Sequence, residues 1–157
     1  MIGTLRFVRV LALGAWIGAI VYFAAVVTQG AFAVLPSRDE AGLLVRFTLG
    51  GLHVMGLIAA AIFVVASIAL HKSLRAFIEL AVLGVILMAA LTIVSQNYVI
   101  PEMAVLRGQM GSVDATPSND PRRAEFDKLH GVSVDIESGV LLIGLVSLYL
   151  AVPRARP

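Results

Sequence analysis

The segment VLALGAWIGAIVYFAAVVTQGAFAVLP, residues 10–36, holds no Asp, Glu, Lys or Arg. The hydrocarbon core of a bilayer is about 30 Å thick, and about 20 helical residues cross it. This stretch is long enough by itself. Three more charge-free stretches follow, at 47–70, 80–101 and 138–153. The last is short and takes its polar entry segment, residues 132–137, to make up the length. The chain therefore reads as all-α, an integral membrane four-helix bundle. The spans are expected at about 5–35, 52–70, 74–98 and 121–152, with a connection over 101–120.

Composition agrees. Of 157 residues, 59% are hydrophobic and only 14% charged, against about a quarter charged in soluble domains. The length fits one domain, residues 1–157. Cys is absent, which excludes disulfides, thiolate metal sites and thiol catalysis. The net charge of +2 is no nucleic-acid footprint: Arg122 and Arg123 are adjacent, but acids surround them. The apolar core of the first stretch exceeds the roughly 7–15 residues of a cleavable signal, so it is expected to stay as helix one.

Positive charge is uneven. Arg6, Arg9, Lys72, Arg75, Arg154 and Arg156 occupy three segments whose one acid, Glu79, lies just inside helix three. The other two connections mix both signs. The positive-inside rule puts both termini in the cytoplasm, in a bacterial inner membrane, and residues 101–130 outside. Ser37-Arg38-Asp39-Glu40 is a capping box that opens a helix near Arg38. Residues 41–49 are amphipathic and suit the outer interface. Gly50-Gly51 then permits a bend before helix two. Ser73 is placed to cap helix three, which Pro101 either ends or kinks. Asp120-Pro121 opens a long fourth helix, of which about three turns project outward.

Helix packing in lipid needs close backbone approach or hydrogen bonds. Gly14 and Gly18 form a GxxxG on helix one, suited to packing within the bundle or to dimerisation. Trp16 and Tyr22 read as packing anchors. Glu79 is expected to pair with Arg75, one turn away, and His71 to be solvated.

Polar residues gather at one outer level. They are Thr28 and Gln29 on helix one, His53 on helix two, and Gln96 and Asn97 on helix three. Helix four adds His130, Ser133, Asp135 and Glu137. Ionisable residues at membrane depth are costly and mark interior or watery positions. His130 and Glu137, seven apart, lie within about 20° of each other around the helix, whereas Asp135 is about 140° from His130. His53, His130 and Glu137 would suit a divalent transition metal, and two His from different helices a haem iron. Simple hydrogen bonding is the plainer reading of each.

Several motifs recur in order: Trp16-Ile17-Gly18, Phe32, Leu35-Pro36, Leu52-His53, Asn97-Tyr98-Val99-Ile100-Pro101, Phe126 and Leu129-His130-Gly131-Val132-Ser133. This order resembles the transmembrane-protein-205-like family, many of whose bacterial members are known only as a domain of unknown function. The resemblance implies a four-helix membrane domain with a long connection before the last helix, and no settled activity. Its matching positions include His53, Asn97, Pro101 and His130. Glu137 stands where the family pattern often has Asn, and Gln29-Gly30 where a Pro is expected.

Three functional readings follow. One is a non-enzymatic binding or accessory subunit with a polar site at the outer leaflet. The second is a metal- or haem-associated protein in redox or cation handling. The third is a small-solute or metal transporter, which as a four-helix chain would have to oligomerise. The implied partners are the lipid bilayer and a homo-oligomer or larger membrane complex, with no nucleic acid.

Overall fold

The computed structural model describes residues 2–152. Pro153, Arg154, Arg156 and the Arg75 side chain lie outside the described residues, and with them the expected Arg75–Glu79 pair and part of the charge asymmetry.

Among the described residues, four helices are long and apolar enough to cross a membrane: α1 Ile2–Val34, α2 Arg38–His71, α3 Leu80–Met110 and α4 Pro121–Ala151. A short 3₁₀ turn, Leu74–Ile78, joins α2 to α3. Helix α1 packs chiefly on α2, and α3 on α4, while contacts of α2 with α3 and of α1 with α4 close the bundle. Both ends of the described chain lie at the Lys72 end; the Pro36 and Gly111 turns lie at the other.

The surface is apolar where a soluble protein's would be polar. Phe7, Ile58, Val65, Leu142 and Val146 are all more than half exposed. Such a surface is stable against lipid and not against water.

The core holds Trp16, Phe63, Leu13, Val85 and Met88, all essentially buried. Within the core, close approach occurs at three glycines among the described residues. Trp16 lies against Gly56, Ser147 against Gly84, and Met88 and Ile17 against Gly144. Any side chain at these positions would collide with those groups. Gly14 and Gly18 behave otherwise: a Cβ on either would meet nothing within 4 Å. Their GxxxG therefore does no packing inside the bundle, because it faces away from α2 and α4. Tyr22 also faces outward, 60% exposed, so of these two aromatic residues Trp16 alone packs in the core.

Helix starts follow local chemistry. Ser37 accepts a hydrogen bond from the Glu40 amide at 3.1 Å, as a capping box requires. Helix α2 then runs unbroken through Gly50 and Gly51 to His71, so the amphipathic segment forms its first turns. In lipid an uninterrupted helix satisfies every backbone group, which outweighs the weak helix propensity of two glycines. Helix α3 starts at Leu80, with Glu79 rather than Ser73 at its N-cap. Asp120 caps α4, accepting from the Arg122 amide at 2.8 Å, with Pro121 in the first turn.

Pro101 neither ends nor breaks α3. Residues Ser95–Val99 form a π-helical turn, and the Ile100 amide reaches back to the Ser95 carbonyl. The wider turn makes room for the proline ring and the missing N–H, and the helix continues to Met110. A second π-helical turn, Phe23–Thr28, lies in α1 at the same end of the bundle.

Candidate functional site

His53 is 98% buried, at 2% exposure, in the Gly111-end half of the bundle. Its two ring nitrogens are both engaged. Nδ1 lies 2.8 Å from Gln96 Oε1, and Nε2 lies 2.6 Å from Glu137 Oε1. The cluster joins α2, α3 and α4, and Gln96 projects from the π-helical turn. With the Gln96 carbonyl facing the ring, Nδ1 donates to Gln96 and one proton lies between Nε2 and the Glu137 carboxyl. That proton resides on imidazolium facing carboxylate, or on carboxylic acid facing imidazole. Either way the pair is electrically neutral, which suits its depth.

Glu137 borders a cleft of about 440 Å³ between the Gly111-end halves of the four helices. On α4 its lining recurs as Arg123, Phe126, Asp127, His130, Ser133, Val134, Glu137, Ser138 and Leu141, one helical face. From Arg123 to Leu141 that face is ~27 Å long. Phe23, Ala24 and Thr28 from the π-helical turn of α1 form part of the opposite wall, with Leu49 of α2 and Ile100 of α3. The deep half is apolar apart from Thr28, Ser133, Ser138 and Glu137.

Charges collect at the mouth. Arg107 donates to the Asp39 carbonyl at 3.1 Å and lies 5.5 Å from the Phe126 ring centroid. The Asp39 carboxylate accepts from Ser112 Oγ at 2.5 Å and from the Val113 amide at 3.0 Å. Arg123 donates to Asp127 at 3.0 Å and also to the Val113 carbonyl. Arg38 stands 3.8 Å from Asp114. These contacts fasten the connection after α3 across the ends of α2 and α4. Arg46 and His130 border the cleft with no hydrogen bond or ion pair to another described residue.

The expected ligand set of His53, His130 and Glu137 is not assembled. Among the described residues, no three His, Asp or Glu side chains form a group that would hold a metal ion. The helical phase is right, since His130 and Glu137 line one cleft. The rise is not: seven residues span ~10 Å along the axis, whereas a metal bonds its ligands at about 2 Å. His53 has no free nitrogen either, as Gln96 and Glu137 occupy both.

The rest of the outer polar set divides. Ser133 is buried beside the cleft. Gln29 and Asp135 are exposed and outside it. Asn97 is exposed and borders a separate shallow depression with Glu102 and Leu129.

A second buried charge pair lies at the Lys72 end. Arg9 Nη2 donates to Glu79 Oε1 at 2.6 Å, and its guanidinium lies 4.7 Å from the Phe63 ring centroid. His71 Nε2 is 3.9 Å from Glu79 Oε2, and its Nδ1 donates to the Ser67 carbonyl at 3.0 Å. The Arg75 side chain, one turn from Glu79, lies outside the described residues; the described partner of Glu79 is the distant Arg9. The available signal was Arg9 itself, a cation at the edge of a charge-free span.

Fold and cluster together define a four-span membrane protein with a buried imidazole–carboxyl pair beneath an amphiphilic cleft. Residues 11–112 match a family described as Domain of unknown function (DUF4149), and the chain belongs to that family. The match includes His53 and Gln96 and ends before α4, which carries Glu137. No curated protein and no solved structure matches the chain.

Proposed function

We propose that this protein is a non-enzymatic binding subunit that holds an amphiphilic ligand in the cleft. One observation carries the reading: a cleft of about 440 Å³ whose deep walls are apolar and whose one deep ionisable lining group is Glu137. Ligand sites are concave, mostly apolar and furnished with a few convergent polar groups. The π-helical turn of α1 borders the cleft, the π-helical turn of α3 carries Gln96 to His53, and π-bulges recur at functional sites. The buried His53 and Gln96 fix Glu137 from behind.

In this reading the Gly111 end faces the periplasm and both termini face the cytoplasm of a bacterial inner membrane. The distribution of Arg6, Arg9, Lys72, Arg75, Arg154 and Arg156 supports that orientation. The ordered motifs support kinship with the transmembrane-protein-205-like family. The exposed outer turns of α4 suit docking to a larger membrane complex.

The test is retention of a decyl-chain fluorophore by the protein in nanodiscs. Saturable binding is expected for the wild type. Ala24→Trp and Ala104→Trp, which place an indole in the cleft, should abolish it. Equal retention by wild type and both variants refutes the reading. A reporter inserted in residues 112–119 that responds to cytoplasmic reagents overturns the orientation.

A further inference from the structure

Glu137 is satisfied on one side only. Oε1 meets His53, whereas Oε2 has no hydrogen bond to a described residue and is not among the sealed, partnerless polar atoms. The side chain keeps 16% of its surface exposed and borders the cleft. An ionised carboxylate oxygen only accepts, so its complement is a cation or an N–H or O–H donor. The walls around it are hydrocarbon apart from the hydroxyls of Thr28, Ser133 and Ser138, and Phe23 adds an aromatic wall of the kind that attracts cations.

The other charges of the cleft lie farther out. Asp39, Arg38 and Arg46 come from α2, Arg107 from α3, Asp114 from the connection, and Arg123, Asp127 and His130 from α4. Helix α1 contributes none. Arg46 and His130 are each seven residues, about 10 Å of helix, outward of His53 and Glu137. Arg38, Asp39, Arg107, Asp114, Arg123 and Asp127 are tied in the contacts already described. The charge nearest a ligand at the deep end is therefore the His53–Glu137 pair.

That pair is neutral while it shares a proton. A cation placed on the free oxygen would leave a buried net charge of plus one, which an apolar site resists. Release of the shared proton restores neutrality. Resting on the reading of the cleft as a ligand site, we infer that it takes a single-chain lipophilic ammonium, its nitrogen on the free oxygen of Glu137, in exchange for the proton shared with His53.

The exchange balances. One positive charge enters and one proton leaves to water along the cleft. Afterwards His53 is neutral and donates from Nε2 to the Glu137 carboxylate, so its Nδ1 becomes an acceptor. Gln96 is suited to both states: its carbonyl oxygen accepts from the protonated ring, and its amide nitrogen, after rotation, donates to the neutral one. Gln96 is thus a positioning residue for the proton.

The experiment is calorimetric titration of the protein in nanodiscs with decylammonium, decanol and decanoate at pH 7, with empty nanodiscs subtracted. Two buffers of different ionisation enthalpy report proton release. Decylammonium should bind about tenfold or more tighter than decanol, the size of a charge-assisted hydrogen bond. It should release about one proton per ligand, and decanoate should bind weakest. Glu137→Gln should erase both the preference and the release. Wild-type protein read in two buffers tests the release without any variant. If all three chains bind alike with no proton released, the cleft reading stands and this inference falls. If none binds saturably, both fall.

Discussion

The Arg9–Glu79 pair offers a sharp test of how this bundle tolerates charge. Arg9 is 4% exposed and bonds Glu79 at 2.6 Å; its Nε and Glu79 Oε2 have no hydrogen-bond partner among the described residues. The two ends of the pair are unequal. A guanidinium cannot shed its proton, whereas a carboxylate can take one up. Glu79→Gln leaves a buried cation facing only an amide and the Phe63 ring, and should cost about 3–5 kcal/mol. Arg9→Met leaves a group that is 26% exposed, has His71 beside it and can protonate, so its cost should be about 1–3 kcal/mol. The double variant Arg9→Met/Glu79→Leu replaces both charges by apolar groups and should lie within about 1 kcal/mol of wild type. Equilibrium unfolding in mixed micelles measures all three. The reasoning is refuted if Glu79→Gln is no worse than Arg9→Met, or if the double variant equals the sum of the singles within ~0.5 kcal/mol.

Further outcomes follow from other contacts. Gly56→Leu should destabilise the bundle by about 1–3 kcal/mol, because Trp16 fills that space, while Gly18→Leu should leave monomer unfolding unchanged; equal effects would contradict the packing described. His53→Leu should remove the proton shared with Glu137 and shift the carboxyl band of Glu137 in infrared difference spectra, and an unmoved band would sink the pairing. Hydrogen bonds from the Arg122 guanidinium and amide hold the Asp120 carboxyl down at about 2, below its ordinary 3.8. The cap's contribution is therefore complete above pH 3.8 and drains as pH falls through about 2, so the amide-exchange protection factors in the first turn of α4 should be flat from pH 7 to 4 and fall only below. Loss of protection already near pH 4 would contradict it.

Local chemistry was readable from residues alone. The charge-free stretches announced four spans, since solvation by lipid depends on composition over a window and on nothing distant. The caps at Ser37 and Asp120 were readable for the same reason, each bonding an amide two or three residues on. His53 and Glu137 stood out because ionisable groups are rare at that depth. Three features were not readable. The partner of Glu79 is seventy residues away, and that of His53 is forty-three and eighty-four away, so only the crossing of helices could choose them. Which glycines matter depended on which face of α1 turned inward, and the Gly14–Gly18 motif looks the same on either face. The fate of Pro101 depended on a π-helical turn that lets α3 continue. Sequence alone settled that the chain is made of membrane-spanning helices, because burial in lipid is a property of each segment. Tertiary structure alone decided which polar groups meet, because a meeting requires phase, rise and neighbour at once.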